Sequence, residues 1–143
     1  MFWGEHSVRI DEKGRFFLPA RFRPLVEDGV AVLPDAKRCL TVLPVAEFER
    51  RAEELLTAKL ASQASQDYSR WIGSVMVIDT PDKQGRVSLT PVLLEHAGIQ
   101  RDGMVIGALS RAEIWSPAAW HAERIRVQAL AEGLDSGEGT AVL

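Results

Sequence analysis

Short apolar and polar runs alternate along much of this chain, and they fall in pairs separated by turn-forming residues. Residues 6 to 10 and 15 to 18 flank Asp11-Glu12-Lys13-Gly14, where an Asp can cap a turn through its carboxylate and a Gly can take the positive φ that ends it. That spacing predicts a hairpin. Val30 to Leu33 with Leu40 to Leu43 predict a second strand pair, mirrored by Met104 to Leu109 with Arg111 to Trp115. Pro19 and Pro24 bracket a helix of one or two turns from Ala20, and Pro91 opens another over Val92 to Ala97, with Gly98 where a helix commonly ends. From Pro44 onward Phe48, Ala52, Leu55, Leu56 and Leu60 share one face of a longer helix, with Glu49, Arg50, Glu53 and Glu54 largely elsewhere. Ser62 to Asp67 is small and polar, and Tyr68, Trp71 and Ile72 then fall at i, i+3 and i+4, which predicts a connecting turn and short helix. Ser116-Pro117 reads as an N-cap and first helical residue, after which Trp120, Val127, Leu130 and Leu134 are expected to point inward. The Gly-rich end, Asp135 to Thr140, is expected to fray.

The strand runs are one sequence seen twice. Asp11-Glu12-Lys13-Gly14-Arg15 returns as Asp82-Lys83-Gln84-Gly85-Arg86, 71 positions later, each copy reading D-x-x-G-R. Phe16-Phe17-Leu18-Pro19-Ala20 is matched in kind by Val87-Ser88-Leu89-Thr90-Pro91, and Cys39-Leu40-Thr41-Val42-Leu43-Pro44 by Ala112-Glu113-Ile114-Trp115-Ser116-Pro117. A period of about seventy residues is too long for a solenoid repeat and suits a small duplicated subdomain. Such a half-domain alone has exposed sheet edges and little area to bury, so the two copies are expected to pair about a pseudo-twofold axis.

Composition narrows the functional classes. Of 143 residues 46% are hydrophobic and 26% charged, so the chain is expected to fold. It has no apolar run of the roughly 18 residues a membrane span needs, and MFWGEH lacks the basic and apolar regions of a signal peptide. A soluble cytoplasmic protein without membrane partners is expected. The single cysteine, Cys39, excludes an intrachain disulfide and a multi-Cys zinc site, and reads as a small buried hydrophobe in a strand. His6, His96 and His121 are scattered, so no metal or other cofactor is expected. G-x-G-x-x-G, Walker, G-x-S-x-G, C-x-x-C and H-E-x-x-H motifs are all absent, and no catalytic residue is assigned. Net charge is −3, from 17 basic and 20 acidic residues, so polyanion binding would need a local concentration of positive charge. One exists: residues 9 to 23 hold five basic side chains, Arg9, Lys13, Arg15, Arg21 and Arg23, against two acidic ones. The second copy is milder, with Lys83 and Arg86 against Asp82 and Glu95. Glu49, Glu53, Glu54, Glu123 and Glu132 map to the helices.

Taken together, an opening M-F-x-G, DEKGR followed by L-P-A-R-F-R, DKQGR-V-x-L-x-P midway and A-E-I-W-S-P near the end resemble the MraZ family of bacterial transcription factors, in the same order and spacing from Met1 to about Trp120. The resemblance implies an α+β, mainly β fold: two tandem AbrB-like swapped-hairpin half-domains, 1–61 and 62–134, forming a pseudo-twofold β-barrel with flanking helices, and a flexible tail at 135–143. It implies a sequence-specific DNA-binding regulator of the division and cell-wall gene cluster. The partner would be double-stranded DNA carrying short direct repeats upstream of its own operon, bound at the nucleoid by a ring-shaped homo-oligomer, octamer-like or dodecamer-like. The family's DxxxR positions fall on Asp11 and Arg15 and on Asp82 and Arg86, with Lys13 and Lys83 as accompanying basic residues. Gly14 and Gly85 shape the turns, and Arg9 and Arg21 add charge to the first. Arg offers a planar fork for guanine edges or phosphate, and Lys a point charge for phosphate. Thr90-Pro91 and Leu94 depart from the family's Pro-Pro and Arg, which makes the first copy the expected main DNA contact. Trp71, Trp115 and Trp120 are expected in the core or at subunit contacts, and Trp3 as a plug for a neighbouring subunit. The alternative is an AbrB-like assembly module whose loops bind protein and have no specific DNA affinity.

Overall fold

The computed structural model describes residues 1–59 and 62–133, so Leu60, Leu134 and the tail expected at 135–143 lie outside the described residues. In chain order come β1 (Glu5–Arg9), β2 (Arg15–Phe17), a 3₁₀ helix (Ala20–Val26), β3 (Val30–Pro34), β4 (Leu40–Pro44), α1 (Val45–Lys59), α2 (Gln63–Val75), β5 (Val77–Asp79), β6 (Arg86–Ser88), α3 (Pro91–His96), β7 (Asp102–Gly107), β8 (Ala112–Trp115) and α4 (Pro117–Gly133). The fold is α+β and mainly sheet, with helices flanking the strands.

Six strands form one antiparallel sheet in the order β1-β7-β8-β4-β3-β5, and β2 pairs with β6 in a separate ribbon. Exchanging the two copies, β1 for β5, β3 for β7 and β4 for β8, reproduces that order reversed. The pseudo-twofold therefore passes between β4 and β8. The hairpin expected at residues 6 to 18 forms only as a turn: Arg15 O accepts from Asp11 N at 2.8 Å, and the arms then part. β1 joins β7 and β2 joins β6, both in the other copy. Parting lets Val8 of β1 and Phe16 of β2 approach one core from two sides. β1 and β5 are each paired along one side, so the sheet does not close on itself, and sheet and ribbon both contribute to this core.

The core belongs to both copies. Phe16, Leu18, Phe22, Val26 and Val32 pack with Val87, Leu89, Leu93, Val105 and Ile114 in one cluster. β3 and β4 are buried on both faces, because α1 and α2 cover the side away from that cluster. α2 is longer than the short helix expected, running for 13 residues from an N-cap at Ser62 whose hydroxyl accepts from Ser65 N at 3.3 Å. Leu56, assigned to the apolar face of α1, is exposed. A smaller cluster joins Cys39, Ile106 and Trp115, with Trp120 against it. Cys39 lies just before β4, and burial pushes its thiol pKa far up.

α4 overturns one expectation. Ser116 Oγ accepts from Ala119 N as an N-cap should, but no residue of α4 is buried, and Val127 and Leu130 are 37% and 56% exposed. The helix is anchored by its first turns only. Trp120 packs on Trp115 and donates to Glu5 Oε1 at 3.0 Å, and Glu123 pairs with Lys37 at 3.5 Å. Beyond these contacts its apolar stripe faces solvent. No helix among the described residues is long and apolar enough to cross a membrane.

Candidate nucleic-acid interface

Each D-x-x-G-R segment folds into the same clamp. Asp11 Oδ1 accepts the backbone N–H groups of Lys13 and Arg15, both at 2.9 Å, and Oδ2 accepts Arg15 Nε at 2.9 Å. Asp82 repeats this with Gln84 N and Arg86 N at 2.9 Å and Arg86 Nε at 2.8 Å. Only an acceptor with two oxygens, placed four residues before the Arg, can hold both the turn and the guanidinium. The Nε edge of each Arg is thereby occupied, and the two Nη groups are left for a ligand. Holding the fork in place in advance lowers the ordering cost of binding.

The backbone N–H of Arg15, aided by its guanidinium and by Lys13 N–H, holds Asp11 below the usual carboxylate range, and Arg86 does the same for Asp82. Because the folded pKa is lowered, the clamp is fully formed above the ordinary carboxylate value and is lost as pH falls through the lowered one. The Arg15 and Arg86 amide NMR shifts should therefore stay constant from neutral pH to below about 4 before moving. A midpoint at or above that value would show that the clamp does not persist in solution.

The turns dock on opposite copies. Gly14 O accepts from Leu89 N at 2.8 Å, and Gly85 O accepts from Leu18 N at 2.9 Å. Both glycines have positive φ, +77° and +79°. A Cβ on Gly14 would strike the Leu89 carbonyl oxygen, whereas one on Gly85 would strike the Arg23 guanidinium. A side chain can swing away and a backbone carbonyl cannot. Gly14→Ala and Gly85→Ala should each cost about 1–2 kcal/mol for the left-handed backbone, with a further loss for Gly14→Ala alone. Urea denaturation of the two variants measures this, and equal losses would contradict the contact at Leu89.

In the ribbon Arg15 faces Ser88, Phe16 faces Val87 and Phe17 faces Arg86. Phe16 and Val87 are each 1% exposed and form its inner side, so Arg15, Phe17, Arg86 and Ser88 form the outer one. Antiparallel pairing puts one turn at each end. The result is a ridge running Lys13, Arg15, Arg86, Lys83. Both lysines are exposed, and among the described residues neither enters an ion pair. Of the other candidates, Arg9 lines a hollow of about 660 Å³ beside the first turn with Lys13 and Arg101. Arg21 is drawn onto the exposed Trp3, its Cζ 3.5 Å from the ring centroid.

The strand exchange changes where the charge lies. Arg23 donates from Nε to Leu18 O at 3.0 Å and sits against Gly85 of the second turn. Its repeat counterpart Leu94 sits against Gly14, with Cδ1 3.8 Å from the place of a Cβ there. The basic segment at residues 9 to 23 thus serves both ends of the ridge, with Arg23 placed at the second turn. Sequence reasoning missed Phe17 and Arg101 at this face, and counted Arg23 with the first turn rather than the second. The 71-residue offset relating Arg23 to Leu94, combined with swapped pairing, was the available signal for Arg23. Among the described residues no cluster of His, Cys, Asp and Glu is placed to hold a metal ion.

A family model described as "MraZ protein, putative antitoxin-like" matches residues 1–70 and 79–132. Among similar proteins, one named Transcriptional regulator MraZ from Frankia alni is 45% identical over 122 residues, covering 85% of this chain and 85% of its own. Proteins of the same name from Kineococcus radiotolerans and Thermobifida fusca are 44% and 45% identical over 120 residues, covering 84% of each chain.

Proposed function

The chain belongs to the MraZ family, and on that premise we propose that it is a transcriptional regulator that binds double-stranded DNA through the outer face of the β2–β6 ribbon. The observation that carries this reading is the ridge, with two clamped arginines between two exposed lysines that enter no ion pair among the described residues. The major groove admits a two-stranded ribbon, arginine Nη groups match guanine edges, and lysines at the ends reach flanking phosphates. The relatives bear the name of a transcriptional regulator, which is not an enzyme class.

One ridge neutralises few phosphates, so a single protomer binds weakly and with steep salt dependence. A homo-oligomeric ring, octamer-like or dodecamer-like, raises affinity through effective concentration when neighbouring ridges meet direct repeats about 10 base pairs apart. The exposed stripe of α4, Val127 and Leu130, offers apolar surface for such assembly. In this reading each half of the chain, 1–61 and 62–134, is one AbrB-like unit. The protein acts in the cytoplasm at the nucleoid, on the promoter upstream of its own operon and on the division and cell-wall cluster.

The test is a salt titration of binding to a duplex of the DNA upstream of the chain's own reading frame, against a scrambled duplex. Preference for the upstream duplex, with log affinity falling linearly in log salt, is expected. Absence of preference even at low salt would favour the other reading, an assembly module whose turns bind protein.

A further inference from the structure

Phe17 stands on the ridge level with Arg86, directly across the ribbon from it and two residues from Arg15, and is 53% exposed. Among the described residues it belongs to neither apolar cluster, and its one ring interaction is with Arg86, whose Cζ lies 6.0 Å from the ring centroid. The fold does not require an aromatic there. The repeat supplies its own comparison, since the counterpart of Phe17 at an offset of 71 is Ser88, on the same outer face and also exposed. Open hollows of about 550 and 440 Å³, both also lined by Ser7 and Val8 of β1, border Phe17. In the major groove the apolar group a base offers for close packing is the 5-methyl of thymine, beside the hydrogen-bond donors and acceptors of the base edges.

We propose that Phe17 is a specificity-determining residue that packs against a thymine methyl beside the base or phosphate taken by Arg86, an inference that rests on the DNA-binding reading. The ridge then carries two unlike ends, Arg86 with Phe17 and Arg15 with Ser88, on a frame with near-twofold symmetry. A protomer built this way reads a site that has direction.

The test uses the full chain and Phe17→Ser, which copies the residue the repeat already tolerates, on the upstream duplex with each thymine replaced in turn by deoxyuridine. Circular dichroism and melting temperature confirm that the variant is folded. Loss of the methyl at one thymine per site should weaken the unmodified protein about fourfold, and the variant should bind the thymine duplex weaker by a similar factor and ignore the replacement. If the protein prefers its upstream duplex but no replacement distinguishes it from the variant, the methyl contact is overturned and the DNA-binding reading stands. If it shows no preference for that duplex over a scrambled one, the DNA-binding reading fails, and this inference with it.

Discussion

Replacing Arg15 and Arg86 together with alanine should weaken specific DNA binding by on the order of a hundredfold or more and leave fold and assembly intact. A good bidentate contact to a base contributes about 1–3 kcal/mol of discrimination, and two such side chains are removed from every protomer. The clamp explains why the rest survives. Asp11 Oδ1 and Asp82 Oδ1 still accept two backbone N–H groups each, so the turns keep their shape. Both carboxylates lose their guanidinium partners, and the ridge of each protomer loses two positive charges. Arg15→Lys with Arg86→Lys separates charge from geometry: the salt slope should return while preference for the upstream duplex does not. Unchanged affinity and salt slope in the alanine variant would mean that DNA is read elsewhere.

Phe22→Ala should cost about 3–5 kcal/mol, a large part of the 5–15 kcal/mol that holds a domain of this size together. The ring is 0% exposed and meets Phe2 edge-on at 5.1 Å and His6 at 5.3 Å, so its removal opens a cavity where the N-terminal segment crosses the 3₁₀ helix. The lesion is in the first copy, yet the core is shared with the second. Chemical unfolding followed by far-UV circular dichroism and by tryptophan fluorescence should therefore shift as one transition. Separate transitions for the two signals would show two independent cores.

What could be read from the sequence is what is settled within a few residues. The D-x-x-G-R clamp consists of bonds spanning at most four positions, and proline placement marks the 3₁₀ helix and α3. Strand partners are another matter. The alternation around Phe16 and Phe17 says that one ring goes in and the other out, but the choice depends on the register of β2 against β6, which no local signal specifies. The positions of Arg23 and Leu94 are hidden for the same reason. Periodicity along α4 marks a common face at Trp120, Val127 and Leu130, and says nothing of where the sheet beneath it ends.

The exchange of strands also sets a timetable. β3 and β4 are separated by five residues and can pair as soon as both are made, whereas His6 of β1 waits for Val105. At synthesis rates of roughly 5–20 residues per second, that gap of about a hundred residues lasts on the order of 5–20 s. Through this interval the nascent first copy presents unpaired strand edges, and a product cut short after α1 keeps them permanently, as a template for association with other chains. The ridge is likewise absent until β6 arrives. A fragment ending before the second copy has half the arginines and no ribbon to hold them, so DNA recognition is gained only once the repeat has been made twice.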